Sequence, residues 1–352
     1  MRFGFGIIGA GVIATTYAGA IAAIAHARLR AVADIDQERA QRLAAAAGAD
    51  AYADVDALLA RHDIDVVCVC VPSGLHAEIG ARAAAAGKHV VVEKPIDVTL
   101  AAADRLIDAC RSGGVALSVI SQHRFDPSVR RLREAIAAGR LGRLILGDAF
   151  VKWYRSPAYY RSAGWRATWS LDGGGALMNQ GIHSVDLLLW LLGPVESVLA
   201  RTATAAHEVA VEDVATALIR FSSGASGVIE VTTAAFPGFA ERIEVSGTRG
   251  SVVLEAGEII AWRLADELGD PGPYGVVTRL AASSTDAPTE SHDGHAAQLH
   301  DVLDAIEHDR EPAVTGEDGR RALEVVLATY ESARTAAEVR LPLTTERAGE
   351  RR

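Results

Sequence analysis

The chain has 352 residues, 49% of them hydrophobic and 23% charged, which exceeds one ordinary core and excludes a disordered chain. Its formal net charge is -10, a sign that repels phosphate backbones, so no nucleic acid is expected as a partner. Three cysteines in this length exclude a disulfide framework and point to a reducing compartment.

From Phe3 to Ala25 the chain carries no charge, but glycines at 4, 6, 9 and 11 and threonines at 15 and 16 interrupt the apolar run. That pattern predicts a buried strand, turn and helix rather than a leader or anchor, so a cytoplasmic protein with no membrane partner is expected. The strand FGIIG leads into Gly9-x-Gly11-x-x-Ala14, which opens the helix. Gly9 allows a tight turn, Gly11 lets the backbone approach a pyrophosphate, and Ala14 permits close helix packing. The helix N-terminus supplies the positive end of a dipole, and Val12 and Ile13 belong to its first turn. The next strand, LRAVAD, ends at Asp34, twenty residues past Ala14, where a carboxylate would accept the ribose hydroxyls. No Arg follows Asp34 at once, so NAD is favoured over NADP.

Further apolar runs, DVVCVCV, HVVVEK and VALSVI, alternate with helical stretches that include alanine runs at 44–47 and 83–86. Continuous apolar strands between helices predict a doubly wound parallel sheet, placed at residues 1–121. Cys68 and Cys70 read as small core residues of one such strand. Glu93 and Lys94 close the fourth of these strands, and carboxyl ends of parallel strands face the ligand crevice; Pro95 then restricts the backbone beside Lys94.

From residue 122 the pattern changes. A helix near PSVRRLREAIAAG, an aromatic segment and the stretch GGGALMNQGIHSVDLLLW precede strand-like runs joined by short glycine turns. Two helices near 295–308 and 317–337 follow the polar loop 283–294, and EVRLPL closes the pattern. This predicts an α+β domain with an open, largely antiparallel sheet over 122–343, and a flexible tail at 344–352. If residues 179–190 are helical, Asn179, His183 and Asp186 fall on one narrow polar stripe among leucines, as an internal active-site wall requires. The competing reading makes Asn179 an N-cap and His183 a satisfied core histidine. His292, His295 and His300 match no metal-ligand spacing, so no metal is expected.

The set GAGVIA, VADID, VPSGLHAE, EKP, HRFDP and GGGALMNQGIHSVDLLLWLLG resembles the glucose–fructose oxidoreductase / inositol dehydrogenase / MocA family, over nearly the whole chain. The resemblance implies an NAD(P)-dependent oxidoreductase of a sugar, sugar derivative or cyclitol, with the open sheet assembling homodimers or homotetramers. It makes Lys94 the active-site lysine and His183 the catalytic histidine, with Ser73 and His76 lining the cofactor crevice. Pro72, Glu93, Lys94, Gln122 and Arg166 complete the expected cofactor contacts. Asn179, Asp186, Arg124, Trp153 and Tyr159 are the expected substrate contacts. Inositol-dehydrogenase-like members carry Asp where this chain has Asn179, which cannot form a carboxylate–histidine pair. MNQGIH looks more like members that oxidise nucleotide-linked or other modified sugars, often at C3.

The chemistry this implies is hydride transfer from a secondary carbinol, with His183 as base. Lys94 would stabilise the alkoxide or, if desolvated, take the proton itself. Between Ser121 and Arg166 ten basic residues face three acidic ones. With the aromatics of KWYRSPAYYRSAGWRATW, this suggests rings against a sugar and an Arg for an anionic group. The alternatives within the resemblance are a glycosidase that uses NAD transiently and a non-catalytic NAD-binding regulator.

Overall fold

The computed structural model describes residues 3–269 and 293–343. His292, most of the expected polar loop 283–294, and the expected tail 344–352 lie outside them.

The continuous apolar runs pair as expected. Strands β1 (Phe3–Ile8), β2 (Ala27–Ala33), β3 (Asp50–Tyr52), β4 (Val66–Val69), β5 (His89–Val92) and β6 (Leu117–Val119) form a parallel sheet in the order β3-β2-β1-β4-β5-β6. Helices α1 (Val12–Ala23), α2 (Gln37–Ala47), α3 (Val55–Leu59), α4 (His76–Ala85) and α5 (Leu100–Gly113) connect the strands. The order reverses between β1 and β4, which opens a crevice beyond the strands' carboxyl ends. The short β3 and α3 carry no apolar run and were not anticipated. Asp36 and Thr99 cap α2 and α5 by accepting from Arg39 N and Ala102 N.

After α6 (Pro127–Ala137), a second sheet forms from β7 (Leu144–Lys152), β8 (Val195–Ala203), β9 (Val214–Phe221), β10 (Ser226–Thr232), β11 (Arg242–Gly247), β12 (Gly250–Glu255), β13 (Glu258–Leu264) and β14 (Val339–Arg340). Its order is β13-β12-β11-β7-β10-β9-β8-β14, antiparallel except where β7 meets β10. Along β9, Ala215, Ala217, Ile219 and Phe221 are buried while Thr216, Leu218 and Arg220 are exposed, so one face is covered and the other bare. The remaining helices are α7 (Pro157–Arg161), α8 (Ile182–Leu192), α9 (Ala265–Leu268), α10 (Asp293–Glu307) and α11 (Gly316–Thr335).

One core cluster runs from a face of the first sheet through α5, α8 and α11 to the covered face of the second. Helix α11 joins the two. A Cβ at Gly319 would crowd Val119 of β6, while Ser332 Oγ accepts from Ala200 N of β8 at 2.9 Å. A second cluster unites the other face of the first sheet with α1, α2 and Leu299, Val302 and Leu303 of α10. Helix α10, expected with the second domain, therefore packs on the first. Among the described residues no helix is long and apolar enough to cross a membrane.

Candidate active site

The glycine turn after β1 is shaped for a ligand. Gly9 has φ +97, and a Cβ there would lie 2.5 Å from the Cys70 carbonyl oxygen, so no side chain fits. A Cβ at Gly11 would meet nothing within 4 Å, and α1 begins with no side-chain cap. Its first N–H groups thus face open space. Asp34 reaches back to this turn, accepting from Ala10 N at 2.6 Å and Asp36 N at 2.7 Å. Val12 and Ile35 beside it are 82% and 97% exposed. A dinucleotide fits these groups: the α1 amides suit a pyrophosphate, Asp34 a ribose, and the two bare aliphatic side chains an aromatic ring. Ile35 was not anticipated; its signal is an isoleucine where a turn residue would be polar.

At the end of β5, half-buried Lys94 precedes a cis bond to Pro95, and its Nζ donates to Asn179 O at 2.8 Å. The side chains of three expected cofactor contacts nearby are buried, two of them with partners of the chain's own. Glu93 is buried behind the crevice, accepting from Tyr17 OH at 2.9 Å and paired with His295 Nε2 at 3.8 Å. Burial would raise its pKa, but His295, Lys94 and Tyr17 outweigh burial and hold it below the usual range. His76 is also buried, its ring nitrogens engaged by Pro95 O at 2.7 Å and Val71 O at 2.9 Å, so it braces the loop. Ser73 is buried as well, whereas Pro72 is half-buried. Gln122 remains available, because its Oε1 is buried without a partner among the described residues.

The glycine stretch before His183 has a packing cause. A Cβ at Gly175 would overlap the Glu212 carbonyl oxygen. The Glu212 carboxyl accepts from Gly175 N and Leu177 N, each at 2.9 Å, and from Tyr330 OH at 2.8 Å. Burial pushes its pKa up to about 7. The backbone then makes a π turn at Leu177–Gly181 before α8. That turn takes Asn179 out of the α-helical register, while His183 and Asp186, three residues apart in α8, border one cavity. Asp186 is buried, accepting from Ser121 Oγ and from Arg124 Nε at 2.8 Å and Nη2 at 2.6 Å. Arg124 also lies 3.5 Å from Asp318. Arg124 and Asp186 thus neutralise each other in the interior, while Asp186 also borders the cavity of Lys94 and His183. Asn179 is neither N-cap nor free; its Nδ2 donates to Asp172 Oδ1 at 2.7 Å and its Oδ1 accepts from Gln180 Nε2 at 3.1 Å.

His183 is half-buried and borders two adjoining cavities. It shares one with Lys94, and the other with His123, Trp153, Gln180 and Glu241. Burial first, then the positive charges of Lys94, His123 and His295, push its pKa well below the ordinary value. Its remaining water contact limits that shift. His123 stands edge-on to it at 5.4 Å between ring centroids and pairs with Asp126 at 2.9 Å. Burial lowers the His123 pKa, but Asp126, Glu241 and Asp186 outweigh burial and raise it. Two adjacent imidazoles are thus driven apart, the arrangement that separates acid from base.

The aromatic segment meets this region through Trp153, which lines the cavity, and Tyr159, which bonds Gln180. Tyr159 OH accepts from Arg166 Nη1 at 2.7 Å and Gln180 Nε2 at 3.0 Å, which links it to Asn179. Arg166 stacks on Tyr159 at 4.3 Å and Trp165 at 4.8 Å. Arg130, Arg131 and Arg133 lie over Phe125, Trp262 and Trp190 on α6, outside the site. Cys68, Cys70 and Cys110 are free and buried.

Residues 3–121 match the family model described as an oxidoreductase family with an NAD-binding Rossmann fold, and residues 129–253 match that of the GFO/IDH/MocA C-terminal domain. The chain is 30% identical to myo-inositol 2-dehydrogenase of Thermotoga maritima, covering 96% of this chain and 98% of that one. It is 32% identical to 1,5-anhydro-D-fructose reductase of Ensifer adhaerens, covering 95% and 98%. It also superposes with a TM-score of 0.86, at 35% identity, on the WlbA dehydrogenase of Bordetella pertussis solved with NADH and UDP-GlcNAcA, covering 98% of this chain and 100% of that one.

Proposed function

Because the chain belongs to the GFO/IDH/MocA family of NAD-binding oxidoreductases, we propose that it oxidises a secondary hydroxyl of a sugar, modified or nucleotide-linked, using Lys94 and His183. The observation that carries this reading is that Lys94 and His183, from separate segments, line one cavity, with Lys94 Nζ held at Asn179 O beside it. The nucleotide-linked form is supported by the UDP-GlcNAcA bound to the similar WlbA chain, and C3 is the proposed carbon from the MNQGIH likeness.

Bound NAD supplies the hydride acceptor. The protein does the rest. Lys94, aimed by its bond to Asn179 O, donates an N–H to the alcohol oxygen and stabilises the charge that develops there. His183 stays neutral beside that ammonium, so it takes the hydroxyl proton as the carbonyl forms. Trp153, on the cavity wall, supplies a face for the sugar ring, and Tyr159 acts beside it through its bond to Gln180. We also infer a homo-oligomer through the bare face of the second sheet, supported by Leu199 and Leu218 there, 44% and 57% exposed. The free cysteines support a cytoplasmic setting.

A screen of sugars, cyclitols, uronates and nucleotide-linked sugars with NAD, followed by absorbance of the reduced cofactor, tests the reading. NADH should form, and kcat/KM should stay level as pH falls through the ordinary histidine value of about 6.5, since His183 remains unprotonated there. The same lowered pKa makes the unfolded chain bind a proton that the native one refuses, so stability should decline below that pH. Redox-neutral cleavage of a glycoside, or an acid limb above it, would contradict the reading.

A further inference from the structure

We propose that Arg155, which lies over Trp153 of the active-site cavity wall, is an anion receptor at the edge of that cavity, taking a carboxylate or phosphate oxygen of the substrate. This rests on the reading that the cavity beside His183 seats the sugar. Arg155 follows β7, and its main chain is pinned on both sides. Its N donates to Thr233 O at 2.8 Å, and its O accepts from His207 Nε2 at 2.8 Å. Its guanidinium lies 5.1 Å from the Trp153 ring and 5.3 Å from the Tyr159 ring, held between two aromatic faces.

Unlike Arg124, Arg140, Arg310 and Arg320, which all pair with carboxylates, Arg155 has no carboxylate within ion-pairing distance among the described residues. Its Nε is buried with no hydrogen-bond partner there. The neighbouring carboxylate does not serve it: Asp213 accepts from the Ala205, Ala206 and His207 main chain and from the His207 ring. Arg166, the other guanidinium on Tyr159, already donates to Tyr159 OH and Ser162 Oγ. A planar cation stacked on two rings, with its buried Nε unmet, gains a partner for that donor when an anion arrives.

The position suits a substrate group. Trp153 under Arg155 borders the same cavity as His183 and Gln180, and Tyr159 is hydrogen-bonded to Gln180. The anion could be the carboxylate of a sugar acid or the diphosphate of a nucleotide-linked sugar.

Calorimetric titration of the NAD-loaded chain with glucose, glucuronate, UDP-glucose and UDP-glucuronate distinguishes these. An acidic member should bind about tenfold to a hundredfold tighter than its neutral partner. Preference for glucuronate over glucose assigns the sugar carboxylate; preference confined to the UDP pair over glucose assigns the diphosphate. Arg155→Gln should abolish the preference and Arg155→Lys retain part of it, with NAD affinity and the circular dichroism spectrum unchanged. A preference that survives Arg155→Gln, equal binding of acidic and neutral probes, or no binding of any acidic probe would overturn the assignment. NADH formation reads the dehydrogenase proposal separately, so glucose oxidised as well as the acids would sink the receptor alone.

Discussion

Lys94→Ala is expected to lower the rate of NADH formation by about 10³ while NAD affinity changes only a few-fold. The separation follows from where each group sits. The Gly9–Gly11 turn and Asp34 would hold the cofactor's phosphates and ribose, whereas Lys94 Nζ reaches across to Asn179 O on the π turn before α8. Removing it deletes the only charge proposed to meet the forming alkoxide. It also leaves the Asn179 carbonyl without that donor, a loss of about 1 kcal/mol that denaturant titration would register. Lys94→Arg should not rescue turnover, because the broader guanidinium cannot place a point charge on the same oxygen. Turnover by absorbance and NAD binding by fluorescence titration check both halves.

Arg124→Met is expected to cost about 3–5 kcal/mol of folding stability, the largest effect expected of any change outside the catalytic pair. Arg124 and Asp186 are both buried, meet through two hydrogen bonds, and sit where α8, Ser121 and Asp318 converge. Deleting the cation alone leaves a carboxylate in the interior with only a hydroxyl and no counter-charge. Arg124→Met combined with Asp186→Leu removes both charges together, so most of the loss should return. Guanidinium unfolding of the two variants decides it; equal loss in both would mean that the site cannot repack.

What the sequence disclosed divides by range. The parallel sheet was legible because strands buried on both faces read as unbroken apolar runs, and β3 was missed because three residues carry no such run. Gly9, Gly11 and Asp34 were legible because their spacing sits within one strand, turn and helix. The place of Asn179 in the stripe with His183 and Asp186 differs from expectation for a reason no local pattern contains. Glu212, far along the chain, holds Gly175 and Leu177, and the following turn is π rather than α. The same holds for Arg124, whose partner lies 62 residues away. His76 and Glu93 end beside the crevice with their side chains taken up by the chain itself, since spacing locates a side chain without saying which neighbours saturate it. Asp172, which orients the Asn179 amide, went unnoticed although it directly precedes the glycine run.

The central claim is that Lys94 and His183 act on a single alcohol, and a double-variant cycle addresses it directly. NADH formation would be measured at saturating NAD for Lys94→Ala, His183→Ala and the two combined. If both groups serve one oxygen, the combined variant should lose no more than the worse single one, because either deletion already disables the unit. Losses that multiply would mean that the two side chains act independently, and the shared site would be ruled out.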